Sequence, residues 1–383
     1  MRTGPDLPGS HAMGLSRRDL LAASALVLSG PERVLAAAPA SRASAGSGPL
    51  VLCWNENPYG PGPAARAALR STVAESCRYP DADIQLLIED LARHERTGSE
   101  SIVIGTGSGE LLCALGLLYG RNGGEIIAAQ PTYAELTDYA RRSGAALKLV
   151  PVDSKLRHDL PAMRSAVSER TRAIYLFNPN NPTGTALDAA AIRSFVQSVP
   201  EQITTIIDEA YMDFADGGGY RSAVDLVGEG RRVVVLRTFS KIHGMAGVRC
   251  GYAITRPDMA AELANARMSS PSILAVRAAR ASLSDQTFLR ECRGRILASR
   301  KRITAELGQL GLSYADPQGN FVYFDTGMPL AHFTEQMRQK NIMVGRLFPP
   351  FERWCRITIG TEPEVEAFLQ GLRAVVGTER RAA

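Results

Sequence analysis

The 383-residue chain is poor in several things, and each shortage removes a class of function. Its six cysteines, at 53, 77, 113, 250, 292 and 355, form no Cys-x-x-Cys pair, which excludes a zinc ribbon and a thioredoxin-like redox motif. Most sit in apolar contexts and read as buried free thiols. The five histidines are scattered without a His-Glu-x-x-His, so no metal site has support. Lys and Arg alternate with Asp and Glu and leave a formal net charge of only +5, with no basic run to meet a nucleic acid.

What is present is balanced. Hydrophobic residues make up 45% and charged residues 22%, as in a packed soluble protein. A chain of 383 residues exceeds one ordinary core, so one large and one smaller domain are expected. The first stretch differs in kind. "SRRDLLAASALVLSG" sets Arg17 and Arg18 ahead of a short apolar run, Leu20 to Leu28. "VLAAAPA" then places Ala36 and Ala38 in the small-x-small arrangement of a cleavage site. That order is an export signal, and the paired arginines point to the twin-arginine route. The alternatives are an N-terminal helix of the folded domain or a start at Met13. The run is too short for a permanent membrane anchor, so none is expected in the mature form.

After a small-residue linker, "APASRASAGSGP", β-rich runs alternate with helical stretches. "SIVIG", "GEIIAAQ", "ALKLVPV", "RAIYLF", "ITTIID", "RVVVLRT" and "RCGYAIT" are short and apolar, and most end at Gly, Pro, Asn or Asp. Strands buried on both faces and separated by helices imply a mostly parallel α/β sheet. A charged helical stretch from about Ser284 to Leu310 reads as a long connecting helix. A smaller α/β unit follows, with "NFVYFD", "NIMVGR" and "WCRITIG" as its strands.

Four stretches carry chemistry. "VIGTGSGELLCALGLLYG" runs from a strand through a glycine-rich turn into a helix, where free N–H groups and the helix dipole bind phosphate. Alone it fits a dinucleotide site, an S-adenosylmethionine site or a plain turn. The next strand ends at Gln130, without the acid that a nucleotide ribose wants. "TTIIDEAYMDF" puts Asp208 at the carboxyl end of an apolar strand, where open α/β sheets keep their ligands, although a helix N-cap would explain it too. "LFNPNNPTG" forces a turn after another strand, and "TFSKIHGMAGVRCGY" spaces Lys241 and Arg249 eight apart in a glycine-rich segment. A lysine for a Schiff base, a carboxylate for a pyridinium nitrogen and donors for a phosphate form the set that pyridoxal phosphate requires.

From about Leu50 to its end the chain resembles the fold-type I pyridoxal phosphate aminotransferases, class I/II, and most the histidinol-phosphate aminotransferase branch. The resemblance implies a large domain with a mostly parallel seven-stranded sheet and a smaller C-terminal α/β domain. With the signal read from its own residues over 1–38, the chain divides into a linker and N-terminal arm over 39–75, a large cofactor-binding domain over 76–275, and a connecting helix with the small domain over 276–383. Lys241 would carry the cofactor as a Schiff base and move the proton at the substrate's Cα. Arg249 would grip the phosphate with the Thr238 and Ser240 hydroxyls and the N–H groups of Gly107 and Ser108. Asp208 would pair with the pyridinium N–H, Tyr211 and Asn181 would donate to the phenolic oxygen, and Tyr133 would stack on the ring.

"WNENPYGP" and "RYPD" also match this branch; by the resemblance Tyr59 lines the substrate pocket and Tyr79 touches the partner's cofactor phosphate, which implies a homodimer with shared sites. In "CRITIG", Arg356 would hold the substrate's carboxylate or phosphate, with Arg346 in "VGRLFPP" as a second basic contact. The chain departs from the branch at Gly345, which intervenes between the strand and that arginine, and at His243, expected to pack.

The activity implied is transamination between an amino acid or amine, of histidinol-phosphate-like or aromatic type, and a 2-oxo acid. Export would favour a donor other than histidinol phosphate, because histidine synthesis belongs in the cytoplasm. Another reaction at Cα with the same cofactor (decarboxylase, lyase, racemase, oxidase) is the second reading. A cofactor-free binding module or a methyltransferase built on "GTGSG" is the third, and it leaves Lys241, Asp208 and Arg249 unexplained as a set.

Overall fold

The computed structural model describes residues 48–382, so the expected signal with Arg17 and Arg18 lies outside the described residues, as does the linker up to residue 47. The strands are β1 (Leu50–Val51), β2 (Ile102–Gly105), β3 (Glu125–Gln130), β4 (Ala146–Pro151), β5 (Thr171–Phe177), β6 (Thr204–Asp208), β7 (Val233–Thr238), β8 (Gly251–Thr255), β9 (Phe321–Asp325), β10 (Ile342–Met343) and β11 (Trp354–Thr358). Seven of them form one sheet in the order β2-β8-β7-β6-β5-β3-β4, in which only β8 runs antiparallel to its neighbours. This is the mostly parallel sheet expected, and its strands fall on the seven apolar runs.

The reason is visible in β5. Ile174 and Leu176 pack into one core cluster while Ala173, Tyr175 and Phe177 pack into another on the opposite face. A strand that is apolar on both sides needs helices on both, and the crossover helices supply them. Register then sets the site. Phe177 lies beside Asp208, and Asp208 beside Leu236, so β5, β6 and β7 finish at one edge and release their loops there.

The helix expected from about Ser284 to Leu310 is Gln286–Gln309. Its buried face of Cys292, Ile296, Ile303 and Leu307 recurs at helical spacing. β9 and β11 pair antiparallel with Arg356 opposite Tyr323. β10 was expected among them but pairs in parallel with β1 instead. Leu52 explains why: its N–H donates to Met343 O at 2.8 Å and its carbonyl accepts from Thr358 N–H at 2.8 Å. The N-terminal segment therefore runs between β10 and β11 and stitches them together. Among the described residues no helix is long and apolar enough to cross a membrane.

Candidate active site

The glycine-rich turn after β2 leads into the helix Ser108–Gly120. Gly107 has a φ of +81°, and a Cβ there would lie 2.3 Å from Arg249 Nη2. Glycine is thus what allows the guanidinium to sit against the turn. Arg249 Nη1 donates to Ala246 O at 2.9 Å and to Ser240 Oγ at 3.5 Å, and Nη2 to Thr106 O at 3.5 Å. The Thr238 hydroxyl donates to Ser240 Oγ at 2.9 Å. Glu110 braces the turn from below, accepting from Thr106 N–H on one oxygen and from Met268 and Ser269 N–H on the other. A guanidinium, two hydroxyls and a helix N-terminus thus surround one spot, which is the chemistry of a phosphate site.

Asp208 ends β6 and is 1% exposed. Its Oδ1 accepts from Ala210 N–H at 3.0 Å and its Oδ2 from the Tyr175 hydroxyl at 3.4 Å. Burial, foremost, pushes its carboxyl up to about 7. The next residue shows the contrast. Glu209, equally buried, forms an ion pair of 3.0 Å with Arg237 and accepts from Ala223 N–H and the Ser222 hydroxyl at 2.7 and 2.8 Å. One carboxylate has a cation in contact; among the described residues the other has none in ion-pair contact, and Lys241 acts on it only from farther off. A buried carboxylate without a cation is costly, so Asp208 suits a ligand that brings a positive N–H.

Lys241 Nζ donates to Asn55 O at 3.1 Å and lies 5.4 Å from the centre of the Tyr211 ring. Asn55 also donates through Nδ2 to the Tyr211 hydroxyl at 3.0 Å. Asn57 Nδ2 donates to Lys241 O and Ile242 O at 3.1 and 2.8 Å, which clamps the lysine loop from the N-terminal arm. His243 packs as expected: its ring lies 4.6 Å from Phe239, Nδ1 is 2.8 Å from Ser282 Oγ, and burial lowers it to about 4. The Tyr133 ring stands 6.0 Å from Phe177, and its hydroxyl donates to Glu135 at 2.9 Å.

Arg356 forms the other end. It is 7% exposed, with its guanidinium 5.0 Å from the Phe348 ring and 5.8 Å from Phe321. Nη1 donates to Asn181 Oδ1 at 2.5 Å and Nη2 to Cys53 O at 2.7 Å, while Nε is buried without a partner among the described residues. An orphaned buried guanidinium donor is a place for an anion. Arg346 is exposed and lies 5.4 Å from the same Phe348 ring. Gly345 donates to Arg356 O at 3.0 Å, and a Cβ on it would meet that oxygen at 2.2 Å. The position immediately after "NIMV" accordingly has no room for a side chain.

The sequence candidates thus fall into two groups. Gly107, Ser108, Thr238, Ser240 and Arg249 make the anion cradle. Hydrogen bonds and ring contacts link Lys241, Tyr211, Asn181 and Arg356 through Asn55 and Cys53. Asp208 lies beside Phe177 in register, and the Phe177 ring stacks on Tyr211 at 5.6 Å. Tyr59 stands 5.2 Å under the Arg295 guanidinium, with its hydroxyl buried and unpartnered among the described residues. Tyr79 is 92% exposed in the single chain. Sequence reasoning missed Asn55, Asn57, Glu110 and Tyr175. The first two stood inside "WNENPYGP", where the repeated asparagine was the available signal.

The family model of the class I and II aminotransferases matches residues 47–372. The chain belongs to that family. Members transfer amino groups with pyridoxal phosphate, and this chain is a transaminase of that kind. It is 35% identical over 331 residues to a histidinol-phosphate aminotransferase of Moorella thermoacetica, covering 85% of each chain. A Pseudomonas fluorescens histidinol-phosphate aminotransferase 2 is 33% identical, with 85% of this chain and 89% of that one covered. Among solved structures, a Sinorhizobium meliloti histidinol-phosphate aminotransferase in complex with pyridoxal 5′-phosphate superposes with a TM-score of 0.80 at 29% identity, covering 86% and 91% of the two chains. The residues of the site fit that cofactor on their own chemistry: a buried carboxylate with no ion-pair partner among the described residues, an anion cradle and a lysine amine converge on one sheet edge.

Proposed function

We propose that this aminotransferase takes the amino group from a donor of the histidinol-phosphate or aromatic type and passes it to a 2-oxo acid, with Lys241 as the covalent anchor. The observation that carries the assignment is Asp208, a buried carboxylate with no cation in ion-pair contact among the described residues, at the strand end beside the lysine loop. When bound, pyridoxal phosphate supplies a ring that accepts the electron pair released at the substrate's Cα. Asp208 holds the proton on the ring nitrogen and keeps that ring electron-poor. Arg249, Thr238, Ser240 and the N–H groups of Gly107 and Ser108 bind the phosphate. Tyr211 and Asn181 hold the phenolic oxygen, and Tyr133 covers the ring. The Lys241 amine would take the proton from Cα and deliver it to the cofactor's C4′ carbon, two bonds away across the shared nitrogen, while Arg356 would grip the donor's carboxylate or phosphate, with Arg346 as a second basic contact. Tyr59 lines the donor pocket.

The test is stoichiometric. Purified protein given pyridoxal phosphate, a donor panel and 2-oxoglutarate should form glutamate and the donor's carbonyl product in equal amounts. Carbon dioxide or free ammonia in their place would move the assignment to another reaction at Cα. Lys241→Ala should abolish turnover and the pH-sensitive visible band of the bound cofactor; retained multiple turnover would sink the role of Lys241.

The assembly proposed is a homodimer in which Tyr79 reaches the partner's cofactor phosphate, as its 92% exposure allows. Sedimentation velocity checks the dimer, and a lone 41 kDa species would refute it. The leader proposed is a twin-arginine signal, giving a periplasmic or secreted enzyme, or a cytoplasmic one if it is not used. Arg17→Lys with Arg18→Lys should trap the protein in the cytoplasm; unchanged fractionation would refute the route.

A further inference from the structure

We infer that Trp54 is a specificity-determining residue, one wall of the pocket for the donor's side chain, and that it selects donors bearing a flat ring beyond Cβ. The inference rests on the aminotransferase reading and adds to it the residue that selects among donors.

The placement comes from its neighbours. The Cys53 carbonyl accepts from Arg356 Nη2 at 2.7 Å, and the Asn55 carbonyl accepts from Lys241 Nζ at 3.1 Å. Asn55 is further held by the Thr358 hydroxyl at its N–H, 2.8 Å away, and adopts a left-handed φ of 54°. Asn320 Nδ2 donates to the Asn55 and Glu56 carbonyls at 3.1 and 3.2 Å. Trp54 is therefore pinned between the group that takes the donor's anion and the group that works at its Cα. Trp54 thus borders the space that a donor gripped by Arg356 and deprotonated by Lys241 would occupy.

The indole itself is free to receive it. Trp54 is 57% exposed, and no ring or cation among the described residues lies on it. The second tryptophan gives the contrast: Trp354 packs against Tyr323, tilted, and against Phe351, edge-to-face, at 5.1 and 6.1 Å between ring centres. A single exposed hydrophobic residue on an open surface needs no explanation. One held rigidly within a catalytic backbone, with its face unpaired, is a stacking platform, and planar rings are what an indole face prefers. Imidazole and benzenoid donors share that feature, and aliphatic or acidic donors lack it.

The test uses unreactive donor mimics, which occupy the carboxylate site without turnover. In the holoenzyme carrying Trp354→Phe, Trp54 is the one tryptophan left, and its emission reports on its own surroundings. 3-Phenylpropionate should inhibit about tenfold more tightly than propionate and shift that emission, a difference in the range of one aromatic pair. Trp54→Ala should bring the two inhibition constants within about threefold, and Trp54→Phe should restore most of the preference. In turnover, Trp54→Ala should cost phenylalanine about tenfold more kcat/KM than alanine. An unchanged inhibitor ratio in Trp54→Ala, or equal losses for both donors, overturns the inference. So does an emission that follows protein concentration rather than ligand, which would mean that a second copy covers the ring. Failure of the aminotransferase reading looks different: the unmodified protein forms carbon dioxide or free ammonia in place of glutamate, or turns over no donor at all.

Discussion

Arg249 and Arg356 serve the same kind of partner, an anion, from opposite kinds of surroundings. Arg249 is exposed and bonds to Ala246, Ser240 and Thr106, so two of its three contacts come from its own loop. Arg356 is buried between two aromatic rings and bonds to residues 175 and 303 positions away. The cofactor's end of the site is assembled from one contiguous segment and one turn. The donor's end is assembled from the N-terminal arm, the "NPNNPTG" loop and β11 together. A local site can form with its loop, whereas the second exists only once distant parts of the chain have packed.

That difference can be broken deliberately. Arg356→Ala removes a desolvated charge from the donor end and should lower kcat/KM by about 10²- to 10³-fold, mainly through KM, with cofactor retention little changed. Loss of cofactor in step with activity would show that the two ends are not separable. Arg249→Ala should do the reverse, weakening cofactor retention on dialysis by about 10- to 100-fold while donor preference persists. Gly345→Ala sharpens the comparison further, because a methyl group 2.2 Å from Arg356 O must push β11 aside. It should raise the donor KM and cost about 1–3 kcal/mol in urea unfolding, without loosening the cofactor; an unaltered KM would separate Arg356 from the backbone that carries it.

The smallest effect expected is on protein stripped of its cofactor. Burial raises the Asp208 carboxyl to about 7, against about 4 for an exposed aspartate. A carboxyl raised in the fold stays protonated there while the unfolded chain has already ionised, so its ionisation costs stability as pH climbs from about 4 to 7. Asp208→Asn should therefore raise the melting temperature of cofactor-free protein at pH 8 by a few degrees, with the gain fading below pH 4. The same substitution should weaken cofactor binding. A gain independent of pH would mean that Asp208 is not the titrating group.

Much of this was open to the sequence because it is local. The seven apolar runs became seven strands, since a segment apolar on both faces has few places to go but the middle of a sheet. Lys241, Asp208 and Arg249 were legible because each sits at a strand end or in a turn whose chemistry is written within a few residues. Asn55 and Asn57 were not, because their partners lie 156 to 303 positions away. Nor was the partnership of β10 with β1, which depends on Leu52 arriving from the far end of the chain.

By itself, then, the sequence determined the sheet, the turn that makes an anion cradle and the spacing of lysine and arginine on one loop. Short-range sterics and side-chain chemistry suffice for those. Only the tertiary structure decided that Glu209 would pair with a cation and that Asp208, among the described residues, would not, that Arg356 would be buried against two rings, and that Trp54 would stay exposed. Desolvation is a property of everything packed around a group, and no stretch of sequence contains its own surroundings.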